Sequence, residues 1–335
     1  MFNFIHIYGT VLFDLLLEGI QVIQGLLDEI ISHGDRGAVV PISRIGDLKK
    51  DMIDLKNGEF HTDWLVRMAN YITADGNKFI PSDLSFEPHS LISVAMPSPC
   101  VILLFHHRGK TVQCTVPTHY TDWYSKNDKA LQYIKSYLAP LGFSAATVMT
   151  ITQKLLAVHS GLGKYGRNNI CYNDEFGSYM QIMTYVSDLP CDETAWFPLR
   201  RMEVCESCKA CVASCPTGAI DPNRRLVNSD RCITYYDELP GDSFPAWMEE
   251  SVHNSVVGCM KCQDCCPANA HNKDNIVMGA TFSENETTEL LNHKSSEPYS
   301  DSLAVKIEAT GIPPEYAKPD VFPRNIAILL QNMPD

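Results

Sequence analysis

Nine of the thirteen cysteines fall between Cys205 and Cys266, and their spacing sets the chemistry. The first run is Cys205-Glu-Ser-Cys208-Lys-Ala-Cys211-Val-Ala-Ser-Cys215-Pro216. In a C-x2-C-x2-C-x3-C-P run, three close thiolates reach three irons of one 4Fe–4S cubane, and the fourth ligates a different cluster. Pro216 fixes the exit of that fourth cysteine by restricting its own φ. Four-cysteine zinc sites come as two separated pairs, so iron–sulfur chemistry is expected here. Cys215 then needs a reciprocal half, and one follows: Cys259-Met-Lys-Cys262-Gln-Asp-Cys265-Cys266-Pro267. One cluster takes Cys205, Cys208, Cys211 and the returning Cys266. The other takes Cys215, Cys259, Cys262 and one more thiolate. Cys265, at the regular third position, and the isolated Cys232 both offer it, and spacing leaves the two open.

The elements that must position these thiols come from the rest of the chain. Its 335 residues predict roughly two domains at ~150 residues each. With 45% hydrophobic and 20% charged residues the chain is globular. A net charge of −13 argues against a general nucleic-acid clamp. Arg200-Arg201, Arg224-Arg225 and Arg231 nevertheless make the cysteine segment locally basic, which suits a phosphate-rich substrate, an acidic electron donor or plain solvation. Phe2 to Leu27 is apolar but interrupted by Asp14 and Glu18, with no basic residue ahead of it. It fits neither a signal peptide nor a membrane span. Leu12, Leu15, Leu16, Ile20, Ile23 and Leu27 fit a buried amphipathic helix, and a soluble cytoplasmic protein is expected.

Leu91 to Met96, Cys100 to Phe105 and Thr111 to Val116 read as strands, the last two joined by an Arg108-Gly109-Lys110 turn. A helix is expected from about Ser125 to Leu138, with Ser125 and Asp128 as a capping box. Another is expected from about Val148 to Val158. After Ala280, Ser283 opens a helix, and Ser302 to Ala309 and Asn325 to Gln331 form two more. Strands and helices without βαβ alternation predict an α+β fold. The expected division is an α+β cofactor-binding catalytic domain over 1–195, a ferredoxin-like two-cluster domain over 196–280 and a helical appendage over 281–335.

Gly161-Leu162-Gly163-Lys-Tyr165-Gly166-Arg167-Asn168 contains G-x-G-x-x-G. The segment ahead of it looks helical, whereas a dinucleotide fingerprint follows a strand. The glycines suit close backbone approach to a large planar cofactor, or a tight loop packed against the cluster segment.

These stretches together resemble the epoxyqueuosine reductases. The resemblance rests on Cys205 to Pro216, on Arg231-Cys232-Ile-Thr-Tyr235, and on Gly258-Cys259-Met-Lys-Cys262-x3-Cys266-Pro267. It continues upstream in Ser160 to Asn169, Phe176-Gly177-Ser178 and Thr184 to Pro190. That family is cobalamin-dependent and related to reductive dehalogenases, so the resemblance implies two 4Fe–4S clusters and a base-off corrinoid. It implies Cys232 as the remaining second-cluster ligand, with Cys265 a bystander. It places Gly161, Leu162, Gly163, Tyr165, Gly166, Arg167, Asn168 and Ser178 at the corrinoid. It also implies a buried proton donor before a helix, here Asp122 or Tyr120, with His119 close by. A low-potential donor such as ferredoxin or flavodoxin would feed the clusters, and the substrate would be tRNA or a small molecule. The competing functions are a corrinoid reductase or activator serving a methyltransferase, and a two-cluster electron carrier. Some two hundred residues ahead of the first cluster cysteine exceed what a carrier needs.

Overall fold

The structure is a computed structural model that describes residues 19–57, 79–149, 151–192, 195–223, 226–241, 243–294 and 296–331. The expected N-terminal helix is described only as α1, residues 19–32. Strand β1 (Arg36–Pro41) and helix α2 (Ile45–Lys56) follow, then β2 (Ser90–Pro97), β3 (Cys100–His107) and β4 (Lys110–Val116). Next come α3 (Trp123–Leu138), β5 (Ala145–Thr147), α4 (Gln153–His159), β6 (Lys164–Tyr165), β7 (Cys171–Tyr172) and β8 (Met180–Ser187). The cysteine segment holds the short helices α5 (Ala210–Ser214), α6 (Ile233–Glu238) and α7 (Lys261–Asp264). The tail contributes β9 (Ile276–Phe282), α8 (Glu284–Leu291), α9 (Asp301–Glu308) and α10 (Phe322–Gln331).

β2 alternates its side chains across a sheet that is covered on both faces. Ile92, Val94 and Met96 join Ala130, Ile134 and Leu138 of α3 and Leu26 and Ile30 of α1 on one side. Leu91 meets Leu48 and Met52 of α2 and Leu155 and Leu156 of α4 on the other. The sheet runs β1-β2-β8-β5 with every pair antiparallel, consistent with the α+β expectation. Burying such an aliphatic side chain contributes about 1.5 to 3 kcal/mol, which is why both faces recruit helices.

The hairpin β3–β4 turns through Arg108 and Gly109, both at positive φ (52° and 72°), the geometry that matches strand twist. β9 adds parallel to β3, so the second sheet runs β4-β3-β9. Phe105, Val112 and Val116 of the hairpin share one core with Phe282, Leu290, Leu303, Phe322 and Ile326 of the tail. The expected boundary at 280/281 thus falls inside β9.

Two helix starts differ from expectation. α3 begins at Trp123 without the Ser125–Asp128 box, because Asp122 turns the chain in the left-handed region at φ 52°. Its N–H donates to the Gly311 carbonyl at 2.8 Å, a tail contact that local sequence does not announce. α4 begins at Gln153 rather than Val148, since Ala145 to Thr147 pair with β8 instead. α8 starts as expected, with a capping box between Ser283 and Glu286. Among the described residues no helix is long and apolar enough to cross a membrane.

Candidate functional site

Both cysteine runs use one device: a short helix, then a cysteine in extended conformation followed by proline. Cys215 leaves α5 at φ −72°, ψ 112°, and Cys266 leaves the α7 turn at φ −76°, ψ 125°. The two helices pack together, which brings the runs face to face. Cys205, Cys208, Cys211 and Cys266 line one small cleft, which Gly166, Arg167 and Asn168 also line. Burial pushes the Cys211 thiol up to about 11, and its neighbours Cys265, Cys205, Cys266 and Cys208 add to the effect. Tyr172 hydrogen-bonds the Cys266 sulfur.

The remaining thiols form a second group. Burial raises Cys232, which N-caps α6, and the charge of Cys215 raises it further. Cys259 is pushed up to about 11 by burial, with Cys232 adding to it, and Cys262 is raised by burial, Cys259 and Cys232. Asn254 Nδ2 donates to Cys259 Sγ at 3.3 Å, and the Ala219 N–H to Cys215 Sγ at 3.2 Å. Cys232 therefore stands with Cys215, Cys259 and Cys262. Cys265 stands with Cys211 and Cys266, its S–H turned back onto the Cys262 carbonyl at 3.6 Å. Among the described residues no three Cys, His, Asp or Glu side chains converge as a site for one metal ion.

The glycine-rich segment packs chain against chain. A Cβ on Gly163 would lie 2.5 Å from Cys171 Sγ and 2.9 Å from the Tyr172 carbonyl oxygen. Gly161 lies against Phe197 and Gly166 against Tyr172 in the same way. Leu162 is buried in the core beneath α4, and Tyr165 pairs with Cys171. Arg167 donates to the carbonyls of Cys205, Cys208 (3.2 Å) and Pro222 (2.7 Å), lacing the first cysteine loop together. Asn168 donates to the Cys262 carbonyl at 3.2 Å and to Tyr172 Oη at 2.9 Å. Ser178 receives Asn269 Nδ2 at 2.8 Å. Of the two uses the sequence allows these glycines, the close approaches seen are to the protein's own chain.

The turn Pro117–Asp122 is pinned from below. Ser98 Oγ donates to the Thr118 carbonyl at 2.7 Å, and Gln181 Nε2 donates to the carbonyls of Thr118 (3.0 Å) and Thr121 (2.6 Å). Asp122 is not the buried acid expected: it is exposed, with its carboxyl beside Gly311, because the tail has drawn its backbone outward. Tyr120 is buried against Gly258, and its phenol donates to Glu238. His119 is pushed down to about 4 by burial, with Lys154 adding to the effect.

Lys154 has no sequence signal beyond its place on α4. Its side chain is exposed, and desolvation by the surrounding protein lowers its pKa. Its Nζ donates to the carbonyl of Asn169 at 3.1 Å, a residue held at φ 59°. The thiols of Cys171 and Cys232 act on Lys154, so it lies near the second thiol group. Beyond Cys232, α6 ends in two adjacent acids that sequence reasoning also passed over. Asp237 is fully buried, 3.2 Å from His253 Nδ1, and burial pushes it up to about 6. The basic residues do separate work: Arg200 lies over Phe197, Arg231 over Trp247, Arg201 is exposed, and Arg224 and Arg225 lie outside the described residues.

Residues 204–269 match the family described as the 4Fe-4S double cluster binding domain. The two-cluster reading stands. The chain is 27% identical over 212 residues to an epoxyqueuosine reductase of Francisella cf. novicida, covering 59% of this chain and 58% of that protein. It is 34% identical over 120 residues to that of Leadbetterella byssophila, covering 36% and 38%. It thus spans little more than half of the first relative's length. In fold it resembles the Bacillus subtilis epoxyqueuosine reductase at TM-score 0.64 and 17% identity, over 94% of this chain and 82% of that one. A further match is an epoxyqueuosine reductase solved with an epoxyqueuosine-modified tRNA-Tyr stem loop, at TM-score 0.57 and 16% identity, over 96% and 82%. The resemblance to epoxyqueuosine reductases read from the cysteine and glycine motifs is borne out in sequence and in fold.

Proposed function

We propose that this chain is an oxidoreductase of the epoxyqueuosine reductase kind, carrying electrons through two 4Fe–4S clusters to a corrinoid held beside Lys154 and His119. The observation that carries it is the partition of eight thiols into two groups, the second of which acts on Lys154. Cys205, Cys208, Cys211 and Cys266 would hold the first cluster. Cys215, Cys232, Cys259 and Cys262 would hold the second, leaving Cys265 as a neighbour. Lys154 and His119 lie close enough to act on one another, and an ammonium beside an imidazole suits the amide and phosphate oxygens of a corrinoid. A corrinoid supplies a cobalt centre that accepts single electrons and delivers two to a substrate. Lys154 would bind and orient it, and the turn His119–Asp122 would face the substrate.

Tyr120 is the proton donor favoured over Asp122, since it is buried and already paired with an acid, whereas Asp122 is exposed. The tRNA-bound relative supports a tRNA substrate, and the thiolate chemistry a reducing, cytoplasmic setting. A low-potential carrier such as ferredoxin or flavodoxin would supply the electrons.

The test is anaerobic purification with iron and sulfide analysis, then cobalamin titration followed by visible absorption and EPR, then turnover of an epoxyqueuosine-containing tRNA stem loop. About eight irons per chain, a base-off cobalamin signal and turnover are expected. Cobalamin binding without turnover of any such substrate would favour an activator. Clusters without cobalamin binding would leave an electron carrier and remove the roles given to Lys154 and His119.

A further inference from the structure

A second cleft, of about 800 Å³, shares no residue with the thiol-lined one and opens where segment 243–253 meets the tail. That volume is in the range of small-molecule sites. Phe244 and Met248 line it together with Leu291, at the end of α8, and Ile328 of α10. Arg324, in the first turn of α10, braces the two sides. Its Nη1 donates to the carbonyls of Leu239 (3.0 Å) and Gly241 (2.9 Å), its Nη2 donates to that of Tyr236 (3.0 Å), and its guanidinium lies 4.2 Å over the Phe244 ring.

Of the polar side chains that line this cleft, His253 alone is buried. Its Nδ1 lies 3.2 Å from the fully buried Asp237 carboxylate, and its ring packs on Phe244 at 4.3 Å. Its Nε2 is buried too, and has no hydrogen-bond partner among the described residues. A carboxylate on Nδ1 keeps the proton there and leaves Nε2 an acceptor. A buried acceptor without a partner is unfavourable, and a ligand N–H would satisfy it. The other charged groups are of both signs. Lys294 follows α8 with its Nζ 3.3 Å from the exposed Glu297, and the neighbouring His293 spends its Nε2 on the Glu297 carbonyl at 2.9 Å. Glu250 and Asp320 bring carboxylates to the same cleft. A nucleotide presents the complementary set in one molecule: an N–H on a flat ring, a ribose diol for a carboxylate, and a phosphate for an ammonium.

We propose that this cleft binds a nucleotide, with its base on His253 Nε2 and its phosphate at Lys294. A free mononucleotide and a single nucleotide of an RNA strand carry the same groups and are the two sources. The inference goes beyond the proposed function and rests on neither the clusters nor the corrinoid. His253 precedes Asn254, whose Nδ2 donates to Cys259 Sγ at 3.3 Å, so the variants are placed on the tail side of the cleft.

The test is equilibrium dialysis of the whole, anaerobically purified protein against the four ribonucleoside monophosphates. Saturable binding is expected. Purine riboside monophosphate, which lacks the base N–H donors, should bind about two- to tenfold more weakly than the preferred nucleotide. Lys294→Ala should weaken the preferred monophosphate about tenfold and leave its nucleoside unchanged. Ile328→Trp fills the cleft and should abolish binding with iron and sulfide content unchanged. A hexanucleotide of the preferred base that binds more tightly than the monophosphate assigns the source as RNA, and one that binds more weakly assigns a free nucleotide. The proposal is overturned if none of the four binds, if the donor-free analogue binds equally well, or if binding survives Ile328→Trp. Should Ile328→Trp lose its iron through misfolding, Lys294→Ala decides: equal weakening of nucleoside and monophosphate, or of neither, overturns the assignment.

Discussion

The outer thiol group, Cys205, Cys208, Cys211 and Cys266, is flanked along the chain by exposed residues such as Glu203, Val204, Glu206 and Lys209. The inner group, Cys215, Cys232, Cys259 and Cys262, has buried chain neighbours in Ile233, Asp237, Val257, Gly258 and Met260. The same turn chemistry builds both, yet different groups act on their thiols: Tyr172 hydrogen-bonds Cys266 of the outer group, whereas Glu238 acts on Cys232 and Asp237 on Cys259 of the inner one. One ligand spacing is thus set in two different electrostatic surroundings.

The largest expected effect concerns the thiols themselves. Cys208→Ser should abolish the outer cluster and Cys232→Ser the inner one, each halving iron and sulfide, while Cys265→Ser should leave both unchanged. Metal analysis with EPR of each variant reads this directly, and a halved content in Cys265→Ser would exchange the roles of Cys232 and Cys265. Next is Arg167→Ala, which strands three carbonyls of the outer loop and should cost about 2 to 4 kcal/mol. The outer cluster should be the one lost first on warming, followed by its EPR signal. Gly163→Ala should cost about 1 to 3 kcal/mol by overpacking on Cys171 and Tyr172. Thermal unfolding of the cofactor-free protein should already show that loss; a variant stable alone but poor in cobalamin binding would restore the cradle role of the glycines.

The smallest effect is a pH dependence at His119. His119 titrates near 4 in the fold, below the ordinary histidine range of about 6.5. Between those values the unfolded chain binds more protons than the folded one, so this contribution to stability is present above about 6.5 and is lost as pH falls through about 4. Denaturant unfolding over that window should show a steeper acid decline in the parent than in His119→Gln.

Much of this molecule is legible in its sequence because the governing interactions are local. Cysteines three and four residues apart can only serve a compact site, and Ser283 with Glu286 caps a helix through neighbours along the chain. The short apolar run Leu91 to Met96 declares a buried strand, and the strand is buried along this whole length. The glycine motif is legible as a place of close approach but not as to what approaches, because a missing Cβ is the same signal for cofactor or protein.

The amino-acid sequence by itself determined two 4Fe–4S ligand runs, a mixed α+β chain and a resemblance to epoxyqueuosine reductases. Only the tertiary structure put Cys232 beside Cys215 and Cys259, drew Asp122 to the surface on Gly311, paired Tyr120 with Glu238 and brought Lys154 to Cys232. Two of those contacts join residues 118 and 189 positions apart, Tyr120 to Glu238 and Asp122 to Gly311. Their energies depend on burial and on the charges gathered around them, and neither is encoded in any window of neighbouring residues.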